Sequence, residues 1–92
     1  MVTKNVSIAE ATSHRSHPAQ MIYASVEDAR THPFGFLAMC EDGKLRGGVA
    51  TDLMALAVQV YAMNRDHNPT EVMSFDFTEA DPRVLFPARR GA

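Results

Sequence analysis

The sequence predicts an α+β domain in which one principal helix, at about residues 51–66, packs on an antiparallel sheet of three to four strands. Three observations predict this class: a hairpin turn signal at Asp42-Gly43, an apolar helical segment after it, and an alternating strand pattern at 71–77. The expected order of elements is β-(short α)-β-β-α-β. A length of 92 residues, of which 46% are hydrophobic, fits one small domain.

The chain is predicted to divide into three parts. Residues 1–19 form a polar segment that is partly disordered or contains one short helix, starting at the capping-box pattern from Ser7 to Glu10. Residues 20–86 form the single α+β domain. Residues 87–92 form a C-terminal tail.

Two short elements are expected at the start of the domain. Strand-forming residues such as Ile22 and Tyr23 predict a strand that ends near residue 24. Ser25 is then followed by a valine and two acidic residues, which is typical of a helix start, because acidic side chains favour the positive N-terminal end of a helix. A short helix is therefore predicted at about 26–31.

The hairpin is predicted to close through a two-residue type I′ turn at positions 42–43. A loop of two residues fixes the register of the two strands. Cys40 then lies opposite Leu45, and Phe36 lies opposite Val49. Both pairs are apolar and share one face, which agrees with a sheet that is buried on that side.

The helix after the hairpin, with Thr51 as its predicted N-cap, is apolar around most of its circumference. Between residues 53 and 63, Gln59 is the one strongly polar side chain. A rotation of 100° per residue gives a first apolar stripe to cover the sheet, made of Leu53, Leu56, Ala57 and Val60. A second stripe beside it is the predicted interface, made of Met54, Val58, Tyr61 and Ala62.

The second stripe indicates a partner. Short strands can cover one side of the helix, and an exposed patch of several hundred Å² is uncommon on a monomer. We therefore expect a homo-oligomer or a complex with another protein. The alternative is a monomer in which the terminal segments, residues 1–18 and 78–88, fold over the helix.

Composition and charge argue against other partners. Nine basic and eleven acidic residues give a net charge of −2, so no positive excess attracts nucleic acid or anionic lipid. The longest apolar stretch, residues 53–58, is far shorter than the ~20 residues of a membrane-spanning helix. The single cysteine excludes an internal disulfide and suits a reducing compartment, so we expect a cytoplasmic protein.

Candidate chemical groups are few, and neither a metal nor a cofactor is expected. His14 and His17 have the spacing of two ligands on one helical turn, but two ligands do not complete a zinc site. Gly47-Gly48, ahead of the helix, is only a fragment of a phosphate-binding loop. No set of residues with the spacing of a catalytic site is present.

Two functions from different classes follow. The first is a non-catalytic protein-interaction or regulatory module, homodimeric through the apolar helix 53–63 and an exposed strand edge. The alternative is a small dimeric enzyme or metabolite-binding protein, with a pocket between sheet and helix that uses Tyr23, His32 or Cys40.

Overall fold

The core of the molecule is a three-stranded antiparallel sheet with its first strand in the centre. The computed structural model describes residues 7–13 and 17–86. Its strands are β1 (Phe34–Cys40), β2 (Leu45–Ala50) and β3 (Pro69–Asp76), in the order β2-β1-β3. Both neighbours run antiparallel to β1, so β2 and β3 are parallel to each other and form the two edges.

Helices lie on both faces of this sheet. The principal helix α3, numbered here in chain order, covers one face. The shorter elements lie on the opposite side. The helices are α1 (Ile8–Ala11), α2 (Val26–Thr31) and α3 (Leu53–His67), with two 3-10 helices at Pro18–Met21 and Pro82–Leu85. The α+β class and the packing of one principal helix on an antiparallel sheet are confirmed, as is the short helix at 26–31.

The central strand is buried on both faces. Its successive side chains alternate between the two sides of the sheet, and apolar clusters cover them on each side. The cluster on the α3 side contains Phe36, Ala38, Cys40, Ala50, Leu56 and Met63. On the opposite side, Ile8 packs with Leu37 and Met39. A third cluster, also away from α3, contains Ala19, Tyr23, Ala29 and Leu85.

The strand expected over 20–24 is absent, and a 3-10 helix ends there instead. Pro18 begins this helix, and the ring nitrogen Nδ1 of His17 accepts a hydrogen bond from the Ala19 amide at 3.1 Å. Ala19 and Tyr23 are buried in the same cluster. The amides of Ile22 and Tyr23 both donate hydrogen bonds to the Ala19 carbonyl at 3.0 Å, which is the backbone bonding of a helical turn. The preset φ of proline and this shared burial outweigh the strand propensity of Ile22 and Tyr23.

The two strands of the predicted hairpin are confirmed, but the predicted turn is wrong. Its loop has three residues, closed by a bond from the Cys40 amide to the Lys44 carbonyl at 3.0 Å, and Gly43 adopts a φ of 83°. The Asp42 carboxylate accepts a hydrogen bond from the Lys44 amide and forms an ion pair with Arg46. Both contacts stabilise this turn. Glycine at the left-handed third position is characteristic of a three-residue hairpin loop.

The longer loop shifts the register by one residue. Phe36 lies opposite Gly48 rather than Val49, and Leu45 lies opposite Met39 rather than Cys40. The predicted apolar pairs therefore do not form. Cys40 faces α3, while Leu45 packs on the other side of the sheet.

Asp52 and Asn68 mark the two ends of α3. Asp52, not Thr51, is the N-cap, and its carboxylate accepts a hydrogen bond from the Ala55 amide at 2.8 Å. The helix ends at His67, in agreement with the predicted end at about residue 66 or 67. Asn68 then takes a left-handed conformation with φ 45°, and Pro69 begins β3.

The alternating pattern in β3 is confirmed. Met73 and Phe75 are half-buried on the side of the sheet away from α3, where both contact apolar clusters. Val72 lies opposite Ala38, which faces α3, so the even-numbered residues of β3 point to the α3 side. The strand begins two residues earlier than predicted and ends one residue earlier.

Candidate functional site

The buried side of α3 is set by two apolar residues and one amide. Leu56 and Met63 pack on the sheet, and between them Gln59 Nε2 donates a hydrogen bond to the Val49 carbonyl at 3.0 Å. At 100° per residue, Leu53 and Ala57 then lie outside the contact. Their predicted place on the sheet-covering stripe is therefore wrong: both are exposed, while the polar Gln59 is half-buried.

A continuous apolar surface covers the side of α3 that points away from the sheet and one flank of the helix. We call it the outer face of α3, and its members are Leu53, Met54, Ala57, Val58 and Tyr61. The exposed fractions of the four large side chains are 63% for Leu53, 75% for Met54, 63% for Val58 and 68% for Tyr61. Three of the four residues predicted as an interface belong to it. The fourth, Ala62, is half-buried at the side of the helix.

The segments expected to cover this face in a monomer lie elsewhere. Ile8 in α1 is fully buried against the opposite side of the sheet, and so is Leu85 in the second 3-10 helix. Residues 1–6, 14–16 and 87–92 lie outside the described residues. Among the residues that are described, the terminal segments stabilise the sheet from the side away from α3 and leave the outer face exposed.

The sheet also has an uncovered strip on the α3 side. The helix packs on β1 and β2, and the α3-side residues of β3 remain exposed. We call this strip the open face of β3, and its members are Thr70, Val72, Ser74 and Asp76. Val72 at its centre is 45% exposed. One helix is about 10 Å wide and covers two strands spaced by about 4.8 Å, so a third strand lies beyond its reach.

These two surfaces are neighbours. Gln59 reaches Val49 in β2, so its flank of the helix lies on the β2 side. Leu53 and Ala57 are rotated by 120° and 160° from it at about 100° per residue, and therefore lie on the flank nearest β3. A right-handed crossover from β2 to the parallel β3 requires the same placement. The flank of α3 nearest β3 and the open face of β3 together form a step in the surface. The helix side of this step is apolar.

The three residues of the predicted ligand pocket are not brought together. The Tyr23 hydroxyl donates a hydrogen bond to the His32 carbonyl at 2.7 Å, so these two residues meet through the main chain. Cys40 lies on the other side of the sheet, where its thiol is 3.6 Å from the Met63 sulfur. A groove of about 280 Å³ between α3 and the sheet is lined by other residues, among them Phe36, Gln59 and Ala62.

The Tyr23 side chain is a structural element of the core. It is 2% exposed, and its ring packs edge-on against Phe77 at 5.5 Å between centroids. Burial raises the pKa of its phenol to about 12, and the negative charges of Asp28 and Asp76 add to that effect. The neutral, hydrogen-bonded phenol is therefore the form that the fold holds.

The remaining polar groups are mostly engaged with one another. Arg46 holds the pKa of Asp42 at about 2 by donating hydrogen bonds to its carboxylate. Arg65 lowers the pKa of Asp66 in the same way.

His17 packs on Phe75, while His14 lies outside the described residues. Within residues 7–13 and 17–86, no group of three or more potential ligands could hold a metal ion.

Comparisons with models of protein families, with curated proteins and with solved structures returned no match. No helix in the described part of the chain combines the length and the apolar character needed to cross a membrane. The candidate site is accordingly defined by the geometry of this chain: the outer face of α3 and the step that it forms with β3.

Proposed function

We propose that this protein is a non-catalytic interaction module that forms a homodimer through the outer face of α3 and an exposed strand edge. The observation that carries the proposal is the exposure of five apolar side chains on successive turns of α3, while the described parts of the terminal segments pack on the opposite side of the sheet. A surface of this kind is typical of protein–protein contact.

The composition of the outer face supports a binding role. It contains a methionine and a tyrosine among aliphatic residues, and no charged side chain interrupts it before Arg65. Aromatic residues and methionine are enriched at the centres of interfaces, where charged residues are depleted. Apolar area removed from water stabilises a complex by about 25 cal/mol per Å² before the costs of association.

The edge of β3 is a second element of the proposed surface. β3 has eight residues and forms one edge of the sheet. Edge strands present backbone groups that can pair with another chain. The buried, unpaired Cys40 suits action in a reducing compartment, and we place the protein in the cytoplasm on that basis.

The test compares two valines of matched exposure on opposite sides of the sheet. Val58 in α3 is 63% exposed and Val84 is 61% exposed. Light scattering over a range of concentrations is expected to give twice the mass of one chain for the wild type and for Val84→Asp. Val58→Asp is expected to give a folded monomer, as judged by its circular dichroism. A wild-type chain that stays monomeric throughout would contradict the homodimer.

A further inference from the structure

We propose that the open face of β3 is the binding site for α3 of the second copy, so that the dimer contains one layer of two helices between two sheets. This inference rests on the proposed homodimer and specifies how it is built. Each α3 would contact its own β1 and β2 with one side and the β3 of its partner with the other. The contact is reciprocal, as a two-fold axis requires.

The geometry of one chain permits this arrangement. The helix covers two strands, and the space above the third is about one helix wide. A two-fold axis parallel to the strands, placed in the layer of the helices, puts the partner's α3 into that space. The same operation brings the outer face of each α3, which points away from its own sheet, onto the open β3 of the other.

The distribution of apolar residues around α3 agrees with such a site. Leu56 and Met63 face the chain's own sheet. Met54 and Tyr61 point in the opposite direction, toward the sheet of the partner in this arrangement. Ala57 lies on the flank nearest β3, where the small side chain allows the two helices to approach closely. A helix that contacts two sheets and another helix is expected to be apolar on three sides.

The outer face of α3 fits within the length of the open face of β3. From Leu53 to Tyr61 the helix extends about 12 Å at ~1.5 Å per residue. From Thr70 to Asp76 the strand extends about 20 Å at ~3.3 Å per residue. Counting from the Asn68 connection at these rises, Tyr61 lies within about 3 Å of the level of Val72, and Met54 lies within about 1 Å of the level of Ser74. Tyr61 of each copy therefore meets Val72 of the other.

The area also favours the combined surface over a contact between the helices alone. The outer face of α3 alone is small against the roughly 800 Å² per partner of a standard interface, although its four large side chains are 63–75% exposed. The open face of β3, where Val72 is 45% exposed, adds to that area. A dimer that used only the helices would leave Val72 and the step uncovered.

Disulfide trapping between single-cysteine variants tests the arrangement, because the native Cys40 is buried and the wild-type chain serves as the unlinked control. Tyr61→Cys and Val72→Cys chains, one carrying a tag, are unfolded together, refolded and mildly oxidised. A linked heterodimer is expected from the mixture and none from either variant alone. Met54→Cys mixed with Ser74→Cys provides a second pair with the same expected result.

The possible results separate this inference from the proposed function. Linkage of Tyr61→Cys to itself, in a protein that is dimeric by light scattering, indicates outer face against outer face and overturns the inference while the homodimer stands. A monomeric wild-type chain overturns both. As an independent readout, Val72→Asp is expected to raise the dimer dissociation constant at least tenfold, with Val84→Asp unchanged. An unaffected dimer in Val72→Asp overturns the inference.

Discussion

The side chain of Gln59 occupies the space that a side chain at position 48 would fill. Its Nε2 donates a hydrogen bond to the Val49 carbonyl at 3.0 Å. A Cβ built on Gly48 would collide with its Oε1 and lie 3.3 Å from the Phe36 ring. The glycine therefore permits the amide of α3 to bond the backbone of β2. Together with the packing of Leu56 and Met63, this bond sets which side of the helix faces the sheet.

Gly48→Ala is expected to destabilise the fold by about 1 kcal/mol, since Gln59 must swing away and lose its hydrogen bond. The measurement is the free energy of unfolding from urea titration monitored by circular dichroism. Gln59→Ala supplies the matched control and is expected to cost a similar amount. The double variant should cost clearly less than the two single losses added together, and full additivity would show that the two residues do not interact.

Gly47→Ala is expected to be more damaging than Gly48→Ala, by about 2–3 kcal/mol in total. A Cβ at position 47 would lie 2.5 Å from the Phe36 carbonyl oxygen and 2.6 Å from Ile22 Cγ2. The carbonyl belongs to the backbone of the central strand and cannot rotate away as a glutamine side chain can. Urea titration of the two alanine variants side by side tests this order, which equal midpoints would contradict.

Asp52→Ala is expected to destabilise the protein by about 1 kcal/mol, because the Ala55 amide at the start of α3 loses its capping carboxylate. Thr51→Ala, one residue earlier, is the control and should change the unfolding free energy by less than about 0.5 kcal/mol. Thermal unfolding of both variants measures the difference. A larger loss in Thr51→Ala would mean that the helix begins one residue earlier.

Stability is expected to fall in alkaline solution as the pH rises from 10 to 12. The fold raises the pKa of Tyr23 from 10.0 to about 12. Below pH 10 both states keep the phenol proton, and between the two values the unfolded chain loses it first. Unfolding is therefore favoured as the pH rises, by about 2 kcal/mol across this window. Urea titrations at stepwise pH values measure the decline.

Tyr23→Phe separates this effect from other alkaline titrations. The variant lacks the hydroxyl that donates to the His32 carbonyl, so it is expected to be about 1 kcal/mol less stable near neutral pH. Its stability should then decline less steeply between pH 10 and 12 than that of the wild type. Parallel curves for the two proteins would show that another group causes the decline.

Local signals in the sequence were sufficient for most elements of the fold. The Ser7–Glu10 capping box forms a one-turn helix, and Ser25 begins the helix at 26–31. The alternation in β3 correctly separates Met73 from Val72. Each of these signals depends on groups within a few residues of one another, so the chain carries them wherever it packs.

The errors arose where other contacts override the preference of a short sequence pattern. Burial of Ala19 and Tyr23 beside Leu85 holds a helical turn in a segment with strand propensity. The ion pair of Asp42 with Arg46 accompanies a loop one residue longer than the dipeptide pattern suggests. A loop of that length moves every pairing in the hairpin by one residue and changes the face on which each side chain lies.

Helical periodicity is a local property of residues 53–63, and it is enough to show that α3 has more apolar surface than one sheet can cover. Which part of that surface is exposed depends on how the helix packs. The packing of Leu56 and Met63 and the Gln59 bond to β2 turn Leu53 and Ala57 outward, and the position of α3 on β1 and β2 leaves β3 open beside them. Both depend on contacts between residues far apart in the chain, which periodicity does not encode.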